Sequence, residues 1–121
     1  MSKNVLIVDD AEFMRNILKK ILINNDFEIA GEAENGEIGI TQYKTLKPDL
    51  VLMDLMMPLK SGLDSIKEII SFDKNAKIIV VSSLGQELLV LEAIEMGAKD
   101  FIVKPFKKEK LMTVIDKVLG K

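Results

Sequence analysis

The stretch NVLIVDDAEFMR, residues 4–15, joins an aliphatic run, Val5 to Val8, directly to two adjacent carboxylates, Asp9 and Asp10. An unbroken run of this kind reads as a strand buried on both faces, the habit of parallel sheets covered by helices on either side. Beyond the carboxylates, Phe13, Ile17 and Ile21 recur at helical spacing, so a helix is expected over 12–25 and the Asp pair falls on the strand-to-helix joint. Asp at a helix start is ordinarily an N-cap. Two carboxylates at the end of a buried strand are costly, however, unless something positive meets them, and the pair therefore implies a cation.

Outward from this stretch the same alternation repeats. Strands are expected at 4–9, 28–33, 49–54, 77–82 and 99–103, with helices at 12–25, 37–46, 63–71, 86–96 and 107–119. Asn35-Gly36, Lys47-Pro48, Met57-Pro58 and Gly97 fall at the joints, and Gly120 stands where the last helix should stop. Strands alternating with helices of this length require right-handed crossovers between parallel neighbours. The expected fold class is α/β, a (βα)5 three-layer, doubly wound sheet with helices on both faces.

With 121 residues, 48% of them hydrophobic, the chain has the size and apolar content of one domain, 1–121. The net charge of −2 comes from 17 basic and 19 acidic residues mixed along the chain, which argues against a nucleic-acid partner or a polybasic membrane anchor. There is no cysteine to form disulfides, and no apolar run long enough to span a membrane, so a cytoplasmic location is expected. Histidine is absent as well, which removes the commonest general base and transition-metal ligand.

In a parallel sheet the carboxyl ends of the strands share one edge, where ligands bind. That edge would gather Asp9, Asp10, Asp54, the hydroxyls of Ser82 and Ser83, and Lys104. Oxygen donors without His or Cys select a hard divalent cation, and Mg2+ suits a partly open site with few carboxylates. Asp54, closing the apolar strand DLVLMD, can act beside such a cation as a nucleophile toward phosphorus, with Lys104 and Ser82 placed to meet phosphoryl oxygens.

The DD pair at 9–10, D-x-x-M-P-x-x-x-G at 54–62, Ser82-Ser83 and Lys104-Pro105 on a (βα)5 chain resemble the receiver domain of two-component response regulators. The likeness covers the whole chain. VDDAEFMR, SSLGQ and GAKDFIVKPF are similar to the stand-alone chemotaxis receivers of the CheY type. The resemblance implies the flavodoxin-like strand order 2-1-3-4-5. It also implies a phosphorylation switch in which Asp54 takes a phosphoryl group from a CheA-type sensor histidine kinase. Asp9, Asp10, Asp54 and the main-chain carbonyl of Met56 would hold Mg2+, Ser82 and Lys104 would sense the phosphoryl group, and Phe101 would be the switch aromatic. The Lys104-Pro105 peptide is expected to be cis.

By that resemblance the chain is expected to be a phosphoacceptor switch rather than an enzyme, with only its own phosphorylation and dephosphorylation chemistry. Without an effector domain, its output would be docking of a monomer, through the fourth helix, fifth strand and fifth helix, on a flagellar or archaellar motor switch or adaptor protein. A phosphorelay intermediate serving a histidine phosphotransfer protein is the alternative. An Asp-nucleophile phosphatase would want an acid where Met56 stands, and nucleotide binding lacks a Gly-rich phosphate loop.

Several residues depart from the chemotaxis pattern. Phe101 stands where a tyrosine is usual, and Lys60 where an apolar residue is usual. Met56 and Leu84 are apolar at positions that can orient the attacking water, so slow spontaneous hydrolysis and an auxiliary phosphatase are expected. The helix QELLVLEAIEM carries four apolar residues in succession, Leu88 to Leu91, too many for a single core stripe. Val90, Ile94 and Phe101 are the expected partner contacts, bordered by Lys107, Lys108, Lys110 and Lys117.

Overall fold

The strands are β1 (Asn4–Val8), β2 (Glu28–Ala33), β3 (Leu50–Asp54), β4 (Ile78–Ser83) and β5 (Asp100–Lys104) in the computed structural model, which describes residues 2–120. Between and after them run α1 (Glu12–Asn24), α2 (Gly36–Leu46), α3 (Gly62–Phe72), α4 (Glu87–Met96) and α5 (Lys108–Leu119). All four strand pairings are parallel and the order is β2-β1-β3-β4-β5, the flavodoxin-like arrangement expected. Every boundary lies within one residue of its expected place.

Alternation along the strands sends side chains to two cores. Leu6, Val8, Val51, Met53, Ile78 and Val80 pack toward Ile40 and Tyr43 of α2, Ile66 and Ile69 of α3, and Val90 and Ala93 of α4. Val5, Ile7, Leu50, Leu52, Ile79 and Val81 pack toward Leu18 and Leu22 of α1 and Leu111, Val114 and Ile115 of α5. The central strands are buried on both faces, which is why they read as unbroken apolar runs; the edge strands β2 and β5 are only partly covered. Each fully buried Leu or Ile contributes about 1.5–3 kcal/mol, so Leu52→Ala, in the middle of β3, should cost about 3 kcal/mol.

Two helix faces differ from the sequence expectation. In α1 the stripe on the sheet is Leu18 and Leu22, with Met14 and Ile21 partly buried, while Phe13 and Ile17 are exposed. In α4, Val90 is only 7% exposed and belongs to the core, so it is not part of an outer surface. It and Ala93, three positions on, are the pair that faces the sheet, and this turns Leu88 and Leu91 outward.

Local chemistry ends the helices where the sequence marks them. Asn35 caps α2 by accepting from Ile38 N at 2.9 Å, Ser61 caps α3 by accepting from Asp64 N at 3.2 Å, and Gly120 ends α5 in the left-handed region at φ 79°. Gly62 has a different reason. A Cβ there would lie 2.2 Å from the main-chain oxygen of Asp54, so only glycine lets α3 start against the end of β3.

Candidate functional site

The register places β1, β3, β4 and β5 so that their carboxyl ends meet: Val8 is opposite Met53, Asp54 opposite Val81, and Ser83 opposite Lys104. Asp9 and Asp10 follow β1, Asp54 ends β3, Ser82 lies near the end of β4 and Lys104 ends β5. One carboxylate oxygen from each of Asp9, Asp10 and Asp54 lies within 4.8 Å of the other two. Three negative groups this close repel by roughly 3 kcal/mol per pair at an effective dielectric near 20.

Lys104 offsets part of that repulsion. Its Nζ donates to Asp9 Oδ2 at 3.2 Å and lies 3.7 Å from Asp54 Oδ1. Asp9 is buried and its other oxygen accepts from Ala11 N at 2.9 Å. Asp54 is also buried, and burial pushes its carboxyl up to about 6 from 3.8, with Asp9 and Asp10 adding to the rise while Lys104 and a main-chain hydrogen bond from Met56 oppose it. The charged form of Asp54 is thus held at a disadvantage that a further cation would remove.

Ser82 is 1% exposed, and its Oγ has no hydrogen-bond partner among the described residues. A buried hydroxyl is normally satisfied, so this one is available to a group arriving at the rim. Met56 stands in the loop after β3 with an exposed side chain, and Leu84, just past β4, is exposed too. The Lys104-Pro105 peptide is cis. Phe101 is half-exposed and lines an apolar cavity of about 280 Å³ with Ser82, Val90, Leu91 and Val103. Ile94 remains partly exposed on α4.

Two basic residues have roles at this end of the sheet that sequence reading did not supply. Lys60, in the loop between β3 and α3, pairs with Glu37 of α2 at 2.9 Å and with Glu68 of α3. It ties the loop that follows Asp54 to both neighbouring helices. Arg15, on the first turns of α1, donates from Nη1 to the main-chain oxygen of Asp9 at 2.7 Å and from Nε to Glu32 Oε1 at 2.8 Å. Lys19 meets the other Glu32 oxygen at 2.6 Å, and Lys19, then Arg15, hold Glu32 below the usual carboxylate range. The Asp9 contact goes to a carbonyl, which leaves no mark in a sequence.

The donor set fits a hard divalent cation: carboxylate oxygens only, two of them from buried residues, converging at the open end of the sheet. The response regulator receiver domain model matches residues 5–116. The chemotaxis protein CheY of Thermotoga maritima is 55% identical over 118 residues, 98% of each chain. That of Bacillus subtilis is 49% identical over 120 residues, 99% of this chain and 100% of its own. Among solved structures, the CheX-CheY-BeF3-Mg+2 complex from Borrelia burgdorferi contains a chain that matches with a TM-score of 0.94 and 39% identity, over 98% of this chain and 90% of that one.

Proposed function

Because the chain belongs to the response regulator receiver family, as a CheY-like chemotaxis receiver, we propose that Asp54 accepts a phosphoryl group from the phosphohistidine of a CheA-type kinase. An oxygen of Asp54 forms the new bond to phosphorus, and the phosphorus–nitrogen bond breaks with its electron pair passing to the imidazole. Asp9, Asp10, Asp54 and the Met56 carbonyl would hold Mg2+, which when bound supplies positive charge to the phosphoryl oxygens. The observation that carries this reading is the cluster of three carboxylates, two of them met by Lys104, at the strand ends where the Ser82 hydroxyl has no partner among the described residues.

After transfer, the Lys104 ammonium, already between Asp9 and Asp54, is placed to pair with a phosphoryl oxygen, and Ser82 Oγ to donate to another. Drawing Ser82 toward the rim enlarges the apolar cavity that Phe101 lines, and the ring turns inward to fill it. The α4, β5 and α5 face, with Leu88, Leu91, Ile94 and Phe101 outward, then docks as a monomer on a motor switch or adaptor protein. No helix among the described residues is long and apolar enough to cross a membrane. The chain carries no separate enzymatic activity in this reading. Met56 and Leu84 offer no polar group to orient water, and the CheX-bound relative supports removal of the phosphoryl group by an auxiliary phosphatase.

Labelling with radioactive acetyl phosphate tests the central step. The wild-type chain should be labelled when Mg2+ is present and unlabelled in EDTA, and Asp54→Asn should never be labelled. Labelling of Asp54→Asn at the wild-type level would remove Asp54 from its role.

A further inference from the structure

Arg15 is the single arginine among 17 basic residues. A chain that uses lysine everywhere else places arginine where the side chain is only 12% exposed and where two acceptors lie in different directions. A lysine ammonium is a point charge on a flexible stem, whereas the planar guanidinium engages two acceptors from one fixed fork. The site therefore has a geometric demand and not merely a need for positive charge.

That demand falls on the peptide between Asp9 and Asp10. The oxygen that Arg15 holds belongs to the rigid plane running from the Asp9 Cα to the Asp10 Cα. On the other side, Asp9 N donates to Ala33 O at 3.0 Å, which ties the same segment to β2. Glu32, the neighbour of Ala33, anchors the guanidinium. The side chain of Asp9 has two partners of its own, Ala11 N and Lys104. Asp10 is exposed and makes no side-chain hydrogen bond or ion pair among the described residues, so the backbone is what ties it into the carboxylate cluster.

We propose that Arg15 is a positioning residue for the cation site: reaching from α1 and anchored on Glu32 of β2, it fixes the peptide plane between Asp9 and Asp10, and so raises Mg2+ affinity without touching the ion. This role rests on the magnesium reading above. It makes a prediction opposite in sign to simple electrostatics. A positive charge near a cation site repels the cation, so if Arg15 acted through charge alone its removal would tighten binding.

Isothermal titration of the full chain with MgCl2 separates the cases, with thermal unfolding of each variant as the control for folding. Outer partners of metal ligands commonly contribute 10–100-fold in affinity; Arg15→Met is expected to weaken Mg2+ binding about tenfold and Arg15→Lys, which keeps the charge but loses the fork, about threefold. Lys19→Met, which removes a charge from Glu32 but leaves the Asp9 carbonyl contact, should bind as wild type does. Unchanged or tighter binding by Arg15→Met overturns the proposal, as does wild-type affinity in Arg15→Lys or an equal loss in Lys19→Met. Arg15→Lys serves as the decisive variant if Arg15→Met does not fold. A wild-type chain that bound no Mg2+ would instead remove the magnesium reading, and the role of Arg15 with it.

Discussion

Two lysines in this molecule each sit between two carboxylates, and they do different things. Lys104 lies between Asp9 and Asp54, whose side chains are 2% and 8% exposed; Lys60 lies between Glu37 and Glu68, at 63% and 45%. Around Lys60, water already solvates the acids, and the ammonium is simply held above the ordinary lysine range by Glu68 and then Glu37. Around Lys104 the same arrangement falls short. Desolvation outweighs the lysine, and Asp54 remains pushed up to about 6. A salt bridge is thus a surface tie in one place and an incomplete neutralisation in the other, and incompleteness is what makes the second site receptive to a cation and a phosphoryl group.

The largest effect should follow from removing the charge that Lys104 fails to neutralise. Asp54→Asn should abolish acetyl-phosphate labelling and, in EDTA at pH 7, raise unfolding stability by about 2 kcal/mol, after allowance for screening at the rim. Urea unfolding measures the gain. A loss of stability instead would mean that the Asp54 charge is adequately paired.

The buried Asp54 carboxyl also makes stability depend on pH. The folded-state value of about 6 lies above the ordinary 3.8, so the native protein binds this proton more tightly than the unfolded chain does. The contribution of Asp54 to stability is therefore greatest below 3.8 and declines as pH rises through about 6. The gap in stability between wild type and Asp54→Asn, measured in EDTA, should widen across that window and level off above it. A gap independent of pH would contradict the raised value.

Lys104→Met comes next. Without the ammonium, Asp9 and Asp54 face each other and Asp10 uncompensated, and metal-free stability should fall by about 1.5 kcal/mol, less than for a fully dry pair because the rim admits water. Saturating Mg2+ should restore a substantial part, since a ligand that binds only the folded state stabilises it. A variant insensitive to Mg2+ in this assay would indicate that Lys104 is needed to assemble the site and not only to balance it.

How legible this contrast was in the sequence depends on what kind of contact each residue makes. The sheet announced itself because β1, β3 and β4 are covered on both faces, and Asp9, Asp10, Asp54, Ser82 and Lys104 could be gathered on one edge because parallel strands all end there. The orientation of α4 was not legible: with Leu88 to Leu91 apolar all round, periodicity gives no direction, and only packing on the sheet chose Val90 and Ala93 for the inside. Lys60 was opaque for another reason, since its acidic partners belong to two different helices that only the fold brings together. Strand ends differed by a residue because the hydrogen-bond ladder, and not side-chain character, decides them.

Lys60 supplies the smallest effect and the sharpest control. Replacing it by the apolar residue usual at its place, Lys60→Met, removes both ion pairs and leaves two glutamates that water can solvate without moving. Exposed pairs of this kind are worth little, because the attraction is offset by the ordering of long side chains and is screened by salt. The thermal midpoint of Lys60→Met should match wild type at physiological ionic strength, and any residual difference should vanish at 1 M NaCl. A marked loss that persists in high salt would mean that Lys60 braces the loop after Asp54 as Lys104 braces the pocket. Exposure of the carboxylates would then no longer be what separates the two lysines.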